Sequence, residues 1–264
     1  MTETLRVATL NIHKGLSQFN LRMVIHELRD GLRRLNPDLV FLQEVQGLNQ
    51  RHALRFGAWP DAPQYAFLAD GAWQHAYGRN QVHDHGHHGN AILSRFPIVS
   101  TVNEDVSNHR FERRGLLHCV VTVPGWRRNL HCVCVHLSLH ERGRRRQLEV
   151  ITDRLAELAR RDLPIVVAGD FNDWRGRATQ VMERQLGMTE VMASPRGRSA
   201  RTFPSLLPML RLDRIYVRGF RVLQARVHRG APWSLLSDHL AISAELELQG
   251  RVQAVQQSER GLAP

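Results

Sequence analysis

Pro164-Ile165-Val166-Val167-Ala168-Gly169-Asp170-Phe171-Asn172-Asp173 is an apolar run of strand length that stops abruptly at polar side chains. A short apolar run bounded by turn residues reads as a buried strand. Gly169 then lets the backbone turn. Alternate side chains of an extended chain share a side, so Asp170 and Asn172 converge on one point with Phe171 between them. A carboxylate can take a proton from water, and an amide can hold an oxyanion or fix a nucleophile. The competing reading is a plain surface turn, since Gly, Asp and Asn are common turn residues. It loses ground because the same arrangement recurs.

Val7-Ala-Thr-Leu-Asn11 puts an amide after an apolar segment, and Val40-Phe-Leu-Gln-Glu44 a carboxylate. Val133-Cys-Val-His136 ends in an imidazole, and Leu235-Leu-Ser-Asp238-His239 sets a carboxylate beside an imidazole. Asp213 adds an acid inside the apolar stretch Leu212–Val217, where an unpaired charge costs several kcal/mol. Each has a structural alternative: Asn11 a turn former, Glu44 a solvated strand end, Asp213 a partner for Arg214 or Arg211. Oxygen ligands without thiolates suit a hard cation, Mg²⁺ or Mn²⁺, better than zinc.

The segments between these ends alternate strand and helix. Leu5–Leu10 and Leu39–Leu42 read as strands, separated by helical spacing from Leu21 through Leu35 with Asn20 as cap and Asn36-Pro37 as stop. From Gln46 to His88 the periodicity fades into loop with some helix. Strands are then expected at 90–93, 98–106, 116–123 and 130–137, a helix at 144–161, a short helix near 178–185, and strands at 212–217 and 240–248. Residues 1–249 read as one domain of two packed sheets with helices outside, and 250–264 as a polar, frayed tail.

Net charge is +11, and Lys14 is the only lysine, so 35 of the 36 basic residues are arginine. Such charge invites a polyanion, nucleic acid or an anionic membrane surface, although uniform arginine usage also follows from GC-rich codons. Arg110, Arg113 and Arg114 form one cluster, and Arg142, Arg144, Arg145 and Arg146 another; each reads first as a solvated loop or helix start. No apolar run approaches the ~18 residues of a membrane span, and no secretory signal is evident, which makes a cytoplasmic monomer the expectation. Cys119, Cys132 and Cys134 are odd in number and lie in an alternating pattern, as core or sheet thiols rather than a disulfide framework.

Leu-Gln-Glu44, Gly-Asp-Phe-Asn172, Leu-Asp-Arg-Ile215 and Ser-Asp-His239, in this order, resemble the motifs of the endonuclease/exonuclease/phosphatase superfamily. Gly89-Asn-Ala-Ile-Leu-Ser-Arg-Phe-Pro97 and Thr202-Phe-Pro-Ser205 resemble further signatures. The resemblance runs from Thr9-Leu-Asn11 to Ser237-Asp-His239. It implies a four-layered α/β sandwich of two mostly antiparallel sheets, and a metal-dependent phosphodiesterase. It also implies roles: Glu44 as principal Mg²⁺ ligand with Asn11 and Asp238 close to the metal; Asp170 activating water; Asn172 helping to hold water and phosphate. His239 would contact the scissile phosphate with Asp213 fixing its ring, and His136 would be the second phosphate-contacting histidine. The reaction would be in-line displacement at phosphorus.

The sequence departs from the family at the residue supporting His136, a position falling near His88 or Asn90. Glu112 is a candidate for a phosphate-proximal loop. The histidine-rich segment 83–88 reads as a rim loop without a dedicated metal, transition-metal binding being the alternative. Trp73, Trp174 and Trp233 could line a cleft. The substrate stays open between a lipid head group or small phosphoester, which is preferred, and DNA or RNA.

Overall fold

The computed structural model describes residues 4–108, 112–193 and 199–249. Its first sheet is built from β1 (Thr4–Asn11), β2 (Leu39–Asn49), β3 (Gln74–His83) and β4 (Gly86–Ser94). The second holds β5 (Ile98–Asp105), β6 (Gly115–Val121), β7 (Leu130–His136), β8 (Ile165–Asp170), β9 (Thr189–Glu190) and β10 (Asp213–Arg218). The chain then returns to the first sheet with β11 (Phe220–Val227) and β12 (Ile242–Leu248). Spatial orders are β11-β12-β1-β2-β4-β3 and β5-β6-β7-β8-β10-β9. Only β1 with β2 and β7 with β8 pair in parallel; every other named pairing is antiparallel.

Each parallel pair needs a crossover, and a helix supplies it: α1 (Ile25–Leu35) after β1 and α4 (Glu141–Arg160) after β7. α2 (Gln50–Arg55), α3 (Gln64–Ala69), α5 (Arg177–Leu186) and α6 (Trp233–Leu236) are short. Three apolar clusters define the layers. One fills the space between the sheets, with Val7, Phe41, Cys134, Val166, Ala168 and Ile215 among its members. A second packs α4 and α5 on the outer face of the second sheet through Ile151, Leu155 and Met182. The third packs α1 and α3 on the first sheet through Leu28, Leu32 and Leu68. The result is helix, sheet, sheet, helix, the four-layered sandwich expected. All three cysteines are buried and unpaired.

The sequence reading differs in three places. Helix α1 starts at Ile25 rather than Leu21; residues 13–20 make two short 3-10 turns, and Val24, not Asn20, occupies the cap. Leu21 kept helical spacing yet is exposed. Between 46 and 88 the chain makes more strand than its faint periodicity suggested: β2 continues to Asn49, and β3 with β4 forms a long hairpin turning within the histidine-rich segment. β3 is the sheet edge and largely polar, so it carries no buried face for periodicity to report. β11, another edge strand, was missed because a register shift after Val222 breaks the alternation of its core-facing Phe220, Val222, Ala225 and Val227.

Candidate active site

Strand polarity collects the polar residues at one end. β1, β2, β7 and β8 all run toward it, while β10 and β12 start from it, being antiparallel to β8 and β1. On the second sheet His136, Asp170 and Asp213 occupy one rung across three neighbouring strands. Their inner-face rows explain why: Cys132 and Cys134 precede His136, Val166 and Ala168 precede Asp170, and Ile215 and Val217 follow Asp213, all with period two. Gly169, with φ +145°, brings β8 so near β7 that a Cβ there would sit 2.0 Å from the Val135 carbonyl oxygen. Only glycine fits.

The two sheets meet through side chains. Asn11 Nδ2 donates to Asp170 Oδ2 at 3.3 Å and approaches Glu44 Oε1 at 3.5 Å. His136 Nε2 and His239 Nε2 lie 3.5 and 3.8 Å from the same Asp170 oxygen. His239 Nδ1 is bonded to Asp213 Oδ2 at 2.9 Å. The backbone N–H of Asn172 donates to Asp170 Oδ1 at 2.9 Å, and its side-chain amide donates to Leu137 O, tying together the loops after β7 and β8. Asp213 does not pair with its sequence neighbour: the buried Arg214 reaches Ser199 and the Asp173 carbonyl on the other side of the strand. Asp238 stands slightly apart, joined to the group through His13 Nδ1 at 3.3 Å, which is itself 3.9 Å from Glu44 Oε2. All eight candidate residues therefore belong to one connected cluster.

Sequence reasoning passed over His13 and Lys14. Lys14 Nζ is 3.4 Å from Glu44 Oε2, so the single lysine of the chain points into the site. Both residues have positive φ, 45° and 60°, as does Glu44 at 56° in a bulge of β2. Non-glycine residues held there cost of order 1–3 kcal/mol each, and such strain concentrates at functional sites. The lone lysine was the available signal. Ser237 was also missed; its hydroxyl donates to the Asn11 carbonyl at 2.6 Å, fixing the His239 segment against β1.

Burial and charge set the protonation states. Burial pushes the Asp170 carboxyl up, and Asp213 adds to it against the opposing His239, leaving it at about 6. Burial would lower His239, but Asp213 and Asp170 outweigh it and lift the imidazole to about 10. His136 is driven well below the usual range, by burial first and Arg114 second. Burial also raises Glu44, yet Lys14, with His136, His13 and His239, holds it well below the ordinary carboxylate range. One half of the site thus keeps a fixed anion, the other a protonated imidazole beside a carboxyl poised to exchange a proton.

The donor set fits a hard divalent cation. Glu44 Oε2 and Asp213 Oδ1 are buried oxygens without a hydrogen-bond donor, and Asn11 and Asp238 add oxygens nearby. The thiols are locked in the inter-sheet core, away from this end. Asp170, Asp213 and His239 also offer ligand atoms within 4.8 Å of one another, but His239 Nδ1 and Asp213 are already engaged with each other.

Other candidates fall outside the cluster. Asn90 donates to the carbonyls of Gly115 and Cys134, holding backbone rather than the His136 ring. His88 acts on His136 only through charge. Glu112 clamps the loop after His136, accepting from Leu139 N–H and Ser138 Oγ and pairing with Arg114 at 3.1 Å. Trp73 is core, its Nε1–H donating to Pro37 O, and Trp233 packs against α1; Trp174 is exposed with Arg144 over its ring. Arg110 lies outside the described residues, Arg113 pairs with Asp105, and Arg144 is buried against Ser138 and Leu139.

The sequence pattern of the Endonuclease/Exonuclease/phosphatase family matches residues 9–239. The chain belongs to this family, whose members are hydrolases acting on phosphoester bonds and include phosphodiesterases and nucleases; its enzymes use divalent metals. It is 46% identical over 244 residues to the uncharacterized protein YbhP of Escherichia coli K12, covering 92% of this chain and 96% of that one. Among solved structures, a family protein of Beutenbergia cavernae aligns with TM-score 0.74 and 23% identity over 94% of this chain and 72% of its own. D. rerio TDP2 complexed with a single-strand DNA product aligns with TM-score 0.69 and 21% identity over 92% and 99%. At these identities the solved structures establish the fold.

Proposed function

We propose that the chain is a divalent-metal-dependent phosphodiesterase, cleaving a P–O bond of a lipid head group or small phosphodiester by in-line attack of water. The observation that carries this reading is the convergence of the two sheets' strand ends on the Asp170 carboxylate. Glu44, with Asn11 and Asp238 close by, would hold a Mg²⁺ or Mn²⁺, which when bound would neutralise charge on the phosphate oxygens. Asp170, its two oxygens positioned by Asn11 and the Asn172 N–H, accepts the proton of the attacking water. Asn172 acts as a positioning residue, holding the two loops in register.

His239, kept protonated by Asp213, directs its Nε2–H at a non-bridging oxygen, an equatorial position of the trigonal-bipyramidal transition state where negative charge is carried. Burial leaves His136 neutral in the free protein. A bound phosphate places negative charge beside it and favours the cationic form, which can protonate the leaving oxygen. Lys14 adds a side-chain cation next to Glu44. A nuclease is the rival reading, and it calls for a contiguous arginine track; Arg113, Arg114, Arg175 and Arg177 are instead engaged by Asp105, Glu112 and Glu141.

The test is hydrolysis of bis(p-nitrophenyl) phosphate by the purified chain. Turnover should require Mg²⁺ or Mn²⁺, disappear with chelator, and fall at least ~10²-fold in Asp170→Ala. Full activity in chelator, or in that variant, would refute the assignment.

A further inference from the structure

Exposed large hydrophobic side chains are unevenly distributed over this molecule. Among the described residues, eleven of fifteen lie in segments attached to the strand ends that carry the site; the exceptions, Val82, Val99, Val102 and Leu223, are on the edge strands β3, β5 and β11. The densest run is Leu206-Leu207-Pro208-Met209, in which the leucines and methionine are 60, 69 and 58% exposed. It forms the tip of a short hairpin closed by the bridge between Phe203 and Leu210.

This tip is fixed to the site. The Ser205 N–H donates to the Asp238 carbonyl at 2.7 Å, its hydroxyl to the Ser237 carbonyl at 2.7 Å, and the Phe203 ring lies 4.9 Å from the His239 ring. In the loop after β1, Phe19 and Leu21 are each 74% exposed. A nucleic-acid track would set cations where these apolar side chains stand. Exposed arginines stand on neighbouring segments of the same end: Arg201 just before the hairpin with Arg229 bonded to its carbonyl, Arg51 in the helix after β2 and Arg142 in the helix after β7, none with a carboxylate partner among the described residues. Apolar tips and arginines without carboxylate partners at one end complement the boundary of an anionic leaflet, tips entering the acyl edge and guanidinium groups meeting phosphates.

We infer that the catalytic end is an interfacial docking surface for a phospholipid membrane bearing anionic head groups, with the 204–209 tip inserted, and that the phosphodiester is drawn from a lipid in that leaflet. The second half of this statement rests on the phosphodiesterase reading; docking does not, and it can be measured without turnover.

The experiment is cosedimentation of the full chain with vesicles of phosphatidylcholine, with and without phosphatidylglycerol, alongside the soluble bis(p-nitrophenyl) phosphate assay. The wild type should sediment with the mixed vesicles, more weakly with phosphatidylcholine alone, and Asp170→Ala should bind like wild type. Leu206→Ser/Leu207→Ser/Met209→Ser should lower the bound fraction by ~10-fold or more while hydrolysing the soluble ester normally, which also reports that it is folded. A wild type that hydrolyses the soluble ester but ignores both vesicles overturns docking. So does a triple variant that binds vesicles as wild type, or one that loses single-stranded DNA binding while wild type ignores vesicles. Vesicle binding without any hydrolysis upholds docking and overturns the phosphodiesterase reading.

Discussion

The parallel strand pairs at the centres of the two sheets are built alike and end differently. β1 and β2, joined through α1, finish in Asn11 and Glu44, beside Lys14 and His13. β7 and β8, joined through α4, finish in His136 and Asp170 on one rung. The Glu44 and Asp238 side chains keep 19% exposure, whereas those of Asp170 and Asp213 keep 3% and 0%. In the first half Lys14 and the surrounding histidines hold Glu44 ionised against its burial, leaving an anion that can meet a cation; in the second, carboxyl and imidazole perturb one another and hold protons. One architecture used twice thus sets an ionised carboxylate at one pair of strand ends and a proton-holding carboxyl–imidazole group at the other.

The largest effect is expected in the dry half. His239→Gln should lower turnover on bis(p-nitrophenyl) phosphate by at least ~10²-fold without moving the metal concentration for half-activity; a shift in that concentration instead would mean His239 belongs to the metal-binding half. Asp213→Asn leaves the ring in place but withdraws the charge that keeps it protonated. A loss of ~10 to 10²-fold in kcat, with KM little changed, is the expected signature, and wild-type kcat would detach Asp213 from the chemistry.

The wet half should answer differently. Glu44→Gln is expected to raise the Mg²⁺ needed for half-activity by ~10-fold or more, with turnover at saturating metal depressed less than in His239→Gln. An unchanged metal titration would remove Glu44 from the ion's surroundings and dissolve the contrast between the halves.

The smallest effect lies away from the site, as a control on its titration. His131 faces His118 across β6 and β7, and burial lowers His131 to about 4. The unfolded chain binds this proton at its ordinary pKa and the folded one does not. His131 therefore contributes stability above about pH 6.5 that is lost as pH falls toward about 4. His131→Gln should flatten that part of the stability profile, read from denaturant midpoints; an unaltered slope would show that other groups govern it.

Much of this was legible in one dimension. Apolar runs ending in Asn11, Glu44, His136 and Asp170 are local patterns, because a strand buried on both faces must be apolar along its length and can change character only where it leaves the core. The helix–sheet layering followed from the same periodicities. Edge strand β3 escaped because a half-exposed polar strand carries no such signature, and β11 because a bulge after Val222 breaks its period-two alternation. The start of α1 was misplaced because Leu21 fits a helical period although the chain there turns with positive φ at Phe19 and Asn20.

What the sequence determined by itself was the set of chemical groups, their attachment to strand ends, and a donor set there of oxygens and imidazoles without thiolates. Tertiary structure alone decided which of them touch. The His136–Asp170–Asp213 rung depends on register between strands far apart in sequence, and the choice of His239 over Arg214 as partner of Asp213 depends on which face of β10 each side chain takes. Glu44 enters the site through a bulge that breaks strict alternation, and Lys14 through a strained turn. Register, bulges and positive-φ residues are settled by the energy of packing two whole sheets together, a quantity no local window of sequence contains.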